Sequence, residues 1–265
     1  MKKKIFSLLK IAGVLYLVFC VTLYFFQEKL IFFPEKLNKN FKFNFNQHFE
    51  ELNIPAKDGI LLHGILFKAD STKGLIFYLH GNAGSIRNWG EVAKTYTDRQ
   101  YDVFILDYRG YGKSEGTISS QQQLFDDVQA AYNELKKKYT EDKTVVLGYS
   151  VGTGLAAKLA SANHPLMLIL QAPYYSLADM MRQKFPVVPT IILKYKLPSN
   201  EFIRQCKMPI VIFHGNADEV IYYGSSLKLK QLFKNTDTLV TLKDQGHNGI
   251  TENTEYQKSL RYFLK

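Results

Sequence analysis

Hydrophobic positions follow two different patterns along this chain. From Ile5 to Phe26 they form one apolar run, broken only by Ser7 and Lys10 near its start and a few uncharged polar residues. From about residue 47 onward, short β-rich runs alternate with windows of helical period. The spacing predicts strands at Phe49 to Ile54, Leu61 to Phe67, Leu75 to Leu79, Val103 to Leu106, Val145 to Leu147, Met167 to Gln171, Ile210 to Phe213 and Leu239 to Leu242. It predicts helices near Trp89 to Arg99, Gln121 to Lys138, Val151 to Ala162, Ser225 to Phe233 and Glu255 to Phe263. Early strands at hairpin spacing followed by strand–helix alternation imply a mostly parallel central sheet of about eight strands with helices on both faces and an antiparallel edge at its start.

One interval breaks the alternation. Between Gln171 and Ile210 lie Pro173, Pro186, Pro189, Pro198 and Pro209, and a structureless loop of that length does not suit a compact domain. A short helical cap inserted at about 173–208 is expected, and its apolar stretch Val187 to Leu193 either faces a ligand or, as the favoured reading, packs on the sheet.

The leading run, about 22 residues from Ile5 to Phe26, spans about 33 Å as a helix, enough for the hydrocarbon core of a bilayer. Lys10 is near enough to its end to snorkel. A cleaved signal peptide would need small residues before the cut, and Leu17 to Val21 offers bulky ones; Phe19 occupies the position a lipoprotein would need small before Cys20. An uncleaved signal anchor at residues 1–26 is therefore expected, then a linker at 27–46 and an α/β domain at 47–265. Lys2, Lys3, Lys4 and Lys10 crowd the leading end, which puts the amino terminus in the cytoplasm and the domain on the exocytoplasmic side.

This orientation signal changes the meaning of the net charge. The chain is formally +10, with 34 basic and 24 acidic residues. Four of those charges belong to the anchor's cytoplasmic end, and Lys136 to Lys138 closes a helix whose dipole favours cations. The rest shows neither an Arg cluster nor aromatic–basic interleaving, so membrane lipid is expected as a partner and nucleic acid is not. Two cysteines far apart, Cys20 and Cys206, exclude a disulfide framework. Nineteen Phe and 17 Tyr beside one Trp are partly explained by the membrane run, but the tyrosines of the core and cap are not.

The candidate chemistry starts at Gly148-Tyr149-Ser150-Val151-Gly152, directly after a predicted strand and opening a predicted helix. A sharp strand–turn–helix elbow lifts a serine hydroxyl clear of the sheet, and glycines two residues either side let the backbone pack closely. A serine needs a base, and the base needs a carboxylate to orient it. On such a scaffold the order is serine, acid, histidine. Of the later histidines, His164 sits in Asn163-His164-Pro165 at a helix end and His214 precedes every plausible acid. His247, in the loop Gln245 to Gly249 after the last strand, is the expected base. Asp218, just past a strand, is the favoured acid over Asp244, with Asp237 also near the last strand and Glu219 as the fallback. Val151 and Asn82 are the expected backbone donors to an oxyanion, Asn82 from the loop His80 to Gly84. His80 is expected to fix that loop, and Asp107 and Arg109 to brace neighbouring ones. His80-Gly-Asn-Ala83 recurs as His214-Gly-Asn-Ala217, each after an apolar strand, as a local strand-end geometry.

These motifs resemble the α/β-hydrolase superfamily, and within it the membrane-anchored subgroup related to the α/β-hydrolase-domain protein 13. The resemblance runs over nearly the whole chain, through Gln27 to Pro34, His80 to Gly84, Asp107 to Ser114, the elbow, the short cap and His214 to Asp218. It implies the α/β-hydrolase fold, with Ser150 as nucleophile, Asp218 as acid and His247 as base. The chain departs from it at Ile221-Tyr222-Tyr223, where relatives often carry a proline. The expectation is an anchored serine hydrolase acting on a small-molecule or acylated ester or thioester, lipid-like by inclination, with neither metal nor organic cofactor. A peptidase or amidase using the same residues is the alternative within the fold, and a non-catalytic hydrolase-like binding protein the alternative outside enzymes.

Overall fold

The computed structural model describes residues 2–264. Its main sheet has strands β1 (Phe49–Pro55), β2 (Leu61–Phe67), β3 (Gly74–Leu79), β4 (Tyr101–Asp107), β5 (Thr144–Tyr149), β6 (Met167–Gln171), β7 (Ile210–Gly215) and β8 (Thr238–Leu242), in spatial order β1-β2-β4-β3-β5-β6-β7-β8. β2 runs antiparallel to β1 and β4, and the other pairs are parallel. Every residue of β3, β4, β5 and β7 is buried, as expected of parallel strands covered on both faces.

The two-residue period of the strands splits the core into two layers. Phe77, Leu79, Phe104, Val146, Leu170 and Ile212 face helices α2 (Gln121–Leu135) and α3 (Gly152–Ala162). Ile76, Tyr78, Ile105, Leu147, Ile169 and Phe213 face the other side, where Ile86, Tyr96 and the helix Thr254–Phe263 close the layer. Each fully buried large apolar side chain contributes ~1.5–3 kcal/mol. The window expected as one helix at Trp89 to Arg99 is instead three short turns, Ile86–Trp89, Gly90–Ala93 and Lys94–Thr97. Gly90 accounts for the break: a Cβ there would overlap the ring of Phe45, so the chain is drawn in under that ring.

Helix α1 (Lys2–Ile31) is long and apolar enough to cross a membrane, and very little of its apolar stretch is buried. It runs five residues beyond the expected anchor, and its far end is tied to the protein body. Gln27 Nε2 donates to the Ile192 carbonyl at 3.1 Å while its Oε1 accepts from Lys194 N–H at 2.8 Å. Glu28 pairs with Lys194 Nζ at 3.0 Å and accepts from the Tyr195 hydroxyl at 3.1 Å. The segment that follows is packed as well: Phe33–Pro34 pairs in parallel with Ala83–Gly84.

Between β6 and β7 lies the cap, made of helix α4 (Leu177–Lys184), a tight turn at Thr190–Ile192 and helix α5 (Ser199–Ile203). Its apolar stretch does not pack on the sheet as expected. Val188, Ile192 and Leu193 face a cavity, while Val187 and Ile191 point outward. Phe19, Leu23, Leu30 and Ile31 of α1 line the same cavity.

Candidate active site

β5 ends at Tyr149, α3 begins at Gly152, and Ser150 between them has φ of 52°. A left-handed serine costs ~1–3 kcal/mol, and the surrounding packing holds it there. A Cβ on Gly148 would overlap the Gly152 carbonyl and Ala156, and one on Gly152 would overlap the Leu79 carbonyl. Ser150 N–H donates to the Gln171 carbonyl at 2.9 Å, tying the turn to β6.

His247 lies between Ser150 and Asp218, with Nε2 3.1 Å from Ser150 Oγ and Nδ1 2.8 Å from Asp218 Oδ2. A carboxylate only accepts, so the partners assign the proton to Nδ1 and leave Nε2 to accept from the serine hydroxyl. Asp218 Oδ1 accepts from the N–H groups of Val220 and Ile221, both at 2.8 Å. Donation from position 221 requires a residue other than proline, which Ile221 satisfies. Burial alone would raise the Asp218 pKa. Hydrogen bonds from His214, His247 and Ile221 N–H outweigh it and hold the carboxyl far below the usual carboxylate range.

His214, which precedes every candidate acid in the sequence, lies beside Asp218. Its Nε2 donates to the Ile221 carbonyl at 3.0 Å and lies 3.2 Å from Asp218 Oδ2, while Nδ1 is 2.7 Å from Ser226 Oγ. The recurrence of His-Gly-Asn-Ala at two strand ends was the signal for it. At the first copy, His80 Nδ1–H donates to the Gly81 carbonyl at 2.7 Å. Burial pushes the His80 pKa down, so the ring is neutral. A planar trans peptide directs its N–H opposite its carbonyl, so fixing the Gly81 carbonyl also fixes the direction of the Asn82 N–H. Thr153 does the same for the next residue, because its N–H (3.0 Å) and hydroxyl (2.6 Å) both donate to the Ser150 carbonyl, whose peptide carries the Val151 N–H.

Four buried tyrosines serve as struts for these loops. Tyr108 donates to the His80 carbonyl (2.7 Å), Tyr111 to Asn82 (2.6 Å), Tyr149 to His247 (2.6 Å) and Tyr174 to Val151 (3.0 Å). A buried tyrosine adds apolar packing and needs one partner for its hydroxyl, which accounts for part of the tyrosine surplus.

Ser150, His247, Val151 and Asn82 all line one cavity of about 790 Å³, within the ~300–1,000 Å³ typical of small-molecule sites. The other candidates lie outside it. Asp244 is an exposed turn residue with φ of 52°, and its N–H donates to Asn216 Oδ1. Asp237 accepts from Ile210 N–H at 3.0 Å and Lys234 Nζ at 2.9 Å. Glu219 reaches the His247 backbone N–H at 3.4 Å and makes no bond to the imidazole. His164 is exposed, its N–H on Glu141. Arg109 bridges Asp127 and Asp58, and Asp107 accepts from Ile86 N–H, so both brace loops. Among the described residues, no cluster of three or more His, Cys, Asp or Glu is placed to hold a metal ion.

The arrangement can move a proton from the serine hydroxyl to an imidazole backed by a carboxylate, next to two N–H groups of fixed direction. Comparison with known proteins agrees with this fold. The sequence model of the Hydrolase_4 family, described as serine aminopeptidase, S33, matches residues 70–207. The chain is 28% identical over 257 residues to the uncharacterized protein YfhR of Escherichia coli O157:H7, covering 92% of this chain and 87% of that protein. It is 29% identical over 238 residues to protein bem46 of Schizosaccharomyces pombe, covering 82% and 79% respectively. Among solved structures it is similar to the Pyrococcus furiosus esterase Pf2001, with a TM-score of 0.70 at 18% identity, over 88% of this chain and 96% of that one.

Proposed function

The chain belongs to the serine aminopeptidase, S33 family of α/β-hydrolases, and we propose that it is a membrane-anchored serine hydrolase cleaving carboxylic esters or thioesters through an acyl-Ser150 intermediate. The observation that supports this most is the hydrogen-bonded line Ser150–His247–Asp218 at the wall of a largely apolar cavity. His247 takes the Ser150 proton as Oγ attacks the acyl carbon and gives it to the departing alcohol or thiol. It then takes a proton from the water that releases the acid. Asp218 holds the tautomer and balances the imidazolium. The N–H groups of Val151 and Asn82 receive the oxyanion, and each such donor is worth ~10²–10³ in kcat.

Helix α1 is the anchor in this reading. Its lysines at positions 2, 3, 4 and 10 favour a cytoplasmic amino terminus and an exocytoplasmic domain. A fluorophosphonate probe tests the mechanism: it should label the wild type and spare Ser150→Ala, and equal labelling of both refutes it. The family description favours one second reading, cleavage of amides or peptides by the same residues. Aminoacyl anilides turned over faster than matched esters would select it.

A further inference from the structure

The cavity that holds Ser150 is walled from two directions. The cap supplies Leu177, Met180, Met181, Val188, Ile192 and Leu193. The facing wall comes from α1 through Phe19, Leu23, Leu30 and Ile31. The helix that is apolar enough to cross a bilayer therefore forms part of the site.

Two hydrogen bonds fix how far the cap extends along that helix. Gln27 Nε2 holds the Ile192 carbonyl, and the Tyr16 hydroxyl donates to the Val187 carbonyl at 2.6 Å. Tyr16 and Gln27 are about eleven residues apart, which is about 16 Å of helix at 1.5 Å per residue. Half the hydrocarbon core of a bilayer is about 15 Å. With the polar triplet Gln27-Glu28-Lys29 at the membrane surface, Tyr16 stands near mid-depth, and the Val187 end of the cap with it. The exposed apolar side chains of that end suit the position: Val187 points outward at 71% exposure, and Phe185, at the cavity's edge, is 59% exposed. Arg182, in the last turn of α4, stands just before this tip. Long basic stems keep their charge at headgroup level while apolar neighbours go deeper.

We propose that α1 is one wall of the substrate site, that the cap tip is immersed in the bilayer beside it, and that the substrate is a membrane lipid carrying a long-chain acyl ester. This rests on Ser150 acting as the nucleophile. The acyl chain, already in the bilayer, slides along the seam between α1 and the cap until its carbonyl meets Ser150. There the Ser150–acyl bond forms as the lipid's ester C–O bond breaks, the serine proton passes through His247 to the departing alcohol, and water then releases the fatty acid. Phe19, Leu23 and Leu30 select for chain length because they face the chain along its course.

The test uses the full chain in phosphatidylcholine vesicles, with 4-methylumbelliferyl palmitate in the bilayer and the acetate in solution. Leu23→Trp should lower the palmitate-to-acetate ratio of kcat/KM by at least 10-fold, whereas Val18→Trp, which does not line the cavity, should keep the wild-type ratio. An unchanged ratio in Leu23→Trp, or an equal fall in both variants, overturns the proposal. A second measurement is independent of activity: a bimane dye on Val187→Cys in a Cys20→Ser, Cys206→Ser background. Nitroxides at mid-chain should quench it more than nitroxides on the headgroup, and the reverse order overturns the immersion. Faster turnover of a palmitoyl-peptide thioester than of the palmitate ester overturns the assignment to lipids in favour of acylated proteins. If the serine-hydrolase reading itself is wrong, the wild type takes no fluorophosphonate label. If only the role of α1 is wrong, labelling persists and the ratio does not move.

Discussion

His80 is fully buried and contributes no proton to the proposed chemistry, yet its removal should cost the enzyme much of its rate. The imidazole stacks on Trp89 (centroids 5.8 Å apart) and lies tilted against Tyr108 (4.4 Å), so His80→Phe keeps a ring in place and deletes the donor to the Gly81 carbonyl. A buried carbonyl left without a partner costs ~1–3 kcal/mol. If the 81–82 peptide holds its plane despite this, the loss is near ~1 kcal/mol and about 5-fold in rate. If it rotates to recover a partner, the Asn82 N–H leaves the oxyanion position and the loss approaches the ~10²–10³ of a whole donor. Expected is a fall in kcat between these limits on p-nitrophenyl butyrate, per fluorophosphonate-titrated site, with KM within about 3-fold because the donor acts mainly in the transition state. His80→Gln restores a side-chain N–H and should recover part of the rate. The pH profile should keep its shape, since burial already holds His80 neutral. An unchanged kcat refutes the peptide-fixing argument, and a lost rate with a displaced pH limb would make His80 a titrating participant.

Two further predictions concern the acid and the topology. Asp218→Asn should lower kcat by roughly 10⁴ through the wrong His247 tautomer. Because the folded pKa of Asp218 is depressed, its contribution to stability is present above ~3.9, the unfolded value, and is lost as pH falls toward the folded one; the wild type should therefore lose more Tm than the variant between pH 7 and pH 3, and an equal loss contradicts the linkage. Burial pushes the Cys206 thiol up to about 12, so it should resist an impermeant maleimide at pH 8 in the folded protein. A cysteine placed at exposed Lys258 should react from the exocytoplasmic side of intact cells, and reaction only after permeabilisation reverses the orientation.

Much of the fold was readable because the strands are short, buried on both faces and bounded by polar turns; Leu61–Phe67 and Met167–Gln171 fall where the pattern placed them. The broken segment at 86–97 was not, because its break comes from Phe45, a residue distant in sequence. That Ser150, Asp218 and His247 meet was readable because each follows a strand end in the required order, and the structure places them in hydrogen-bonding contact. Their supports were harder to see. His80 and Thr153 act on peptide planes, and a sequence pattern records side chains rather than carbonyl directions. Gln27 meets Ile192 and Lys194 across more than half the chain, and a lone glutamine near the end of an apolar helix gives no sign of such a partner.

The double use of α1 places two separate demands on the same residues. Insertion scales score a transmembrane segment by the summed transfer free energies of its side chains, and on them an exchange of Leu for Phe at position 23 is close to neutral. A cavity responds to shape, and there the same exchange adds an aromatic ring next to the acyl path. On the proposed reading, substitutions in α1 that leave membrane targeting intact change which esters are cut, and the helix is constrained by its ligand as well as by the lipid around it.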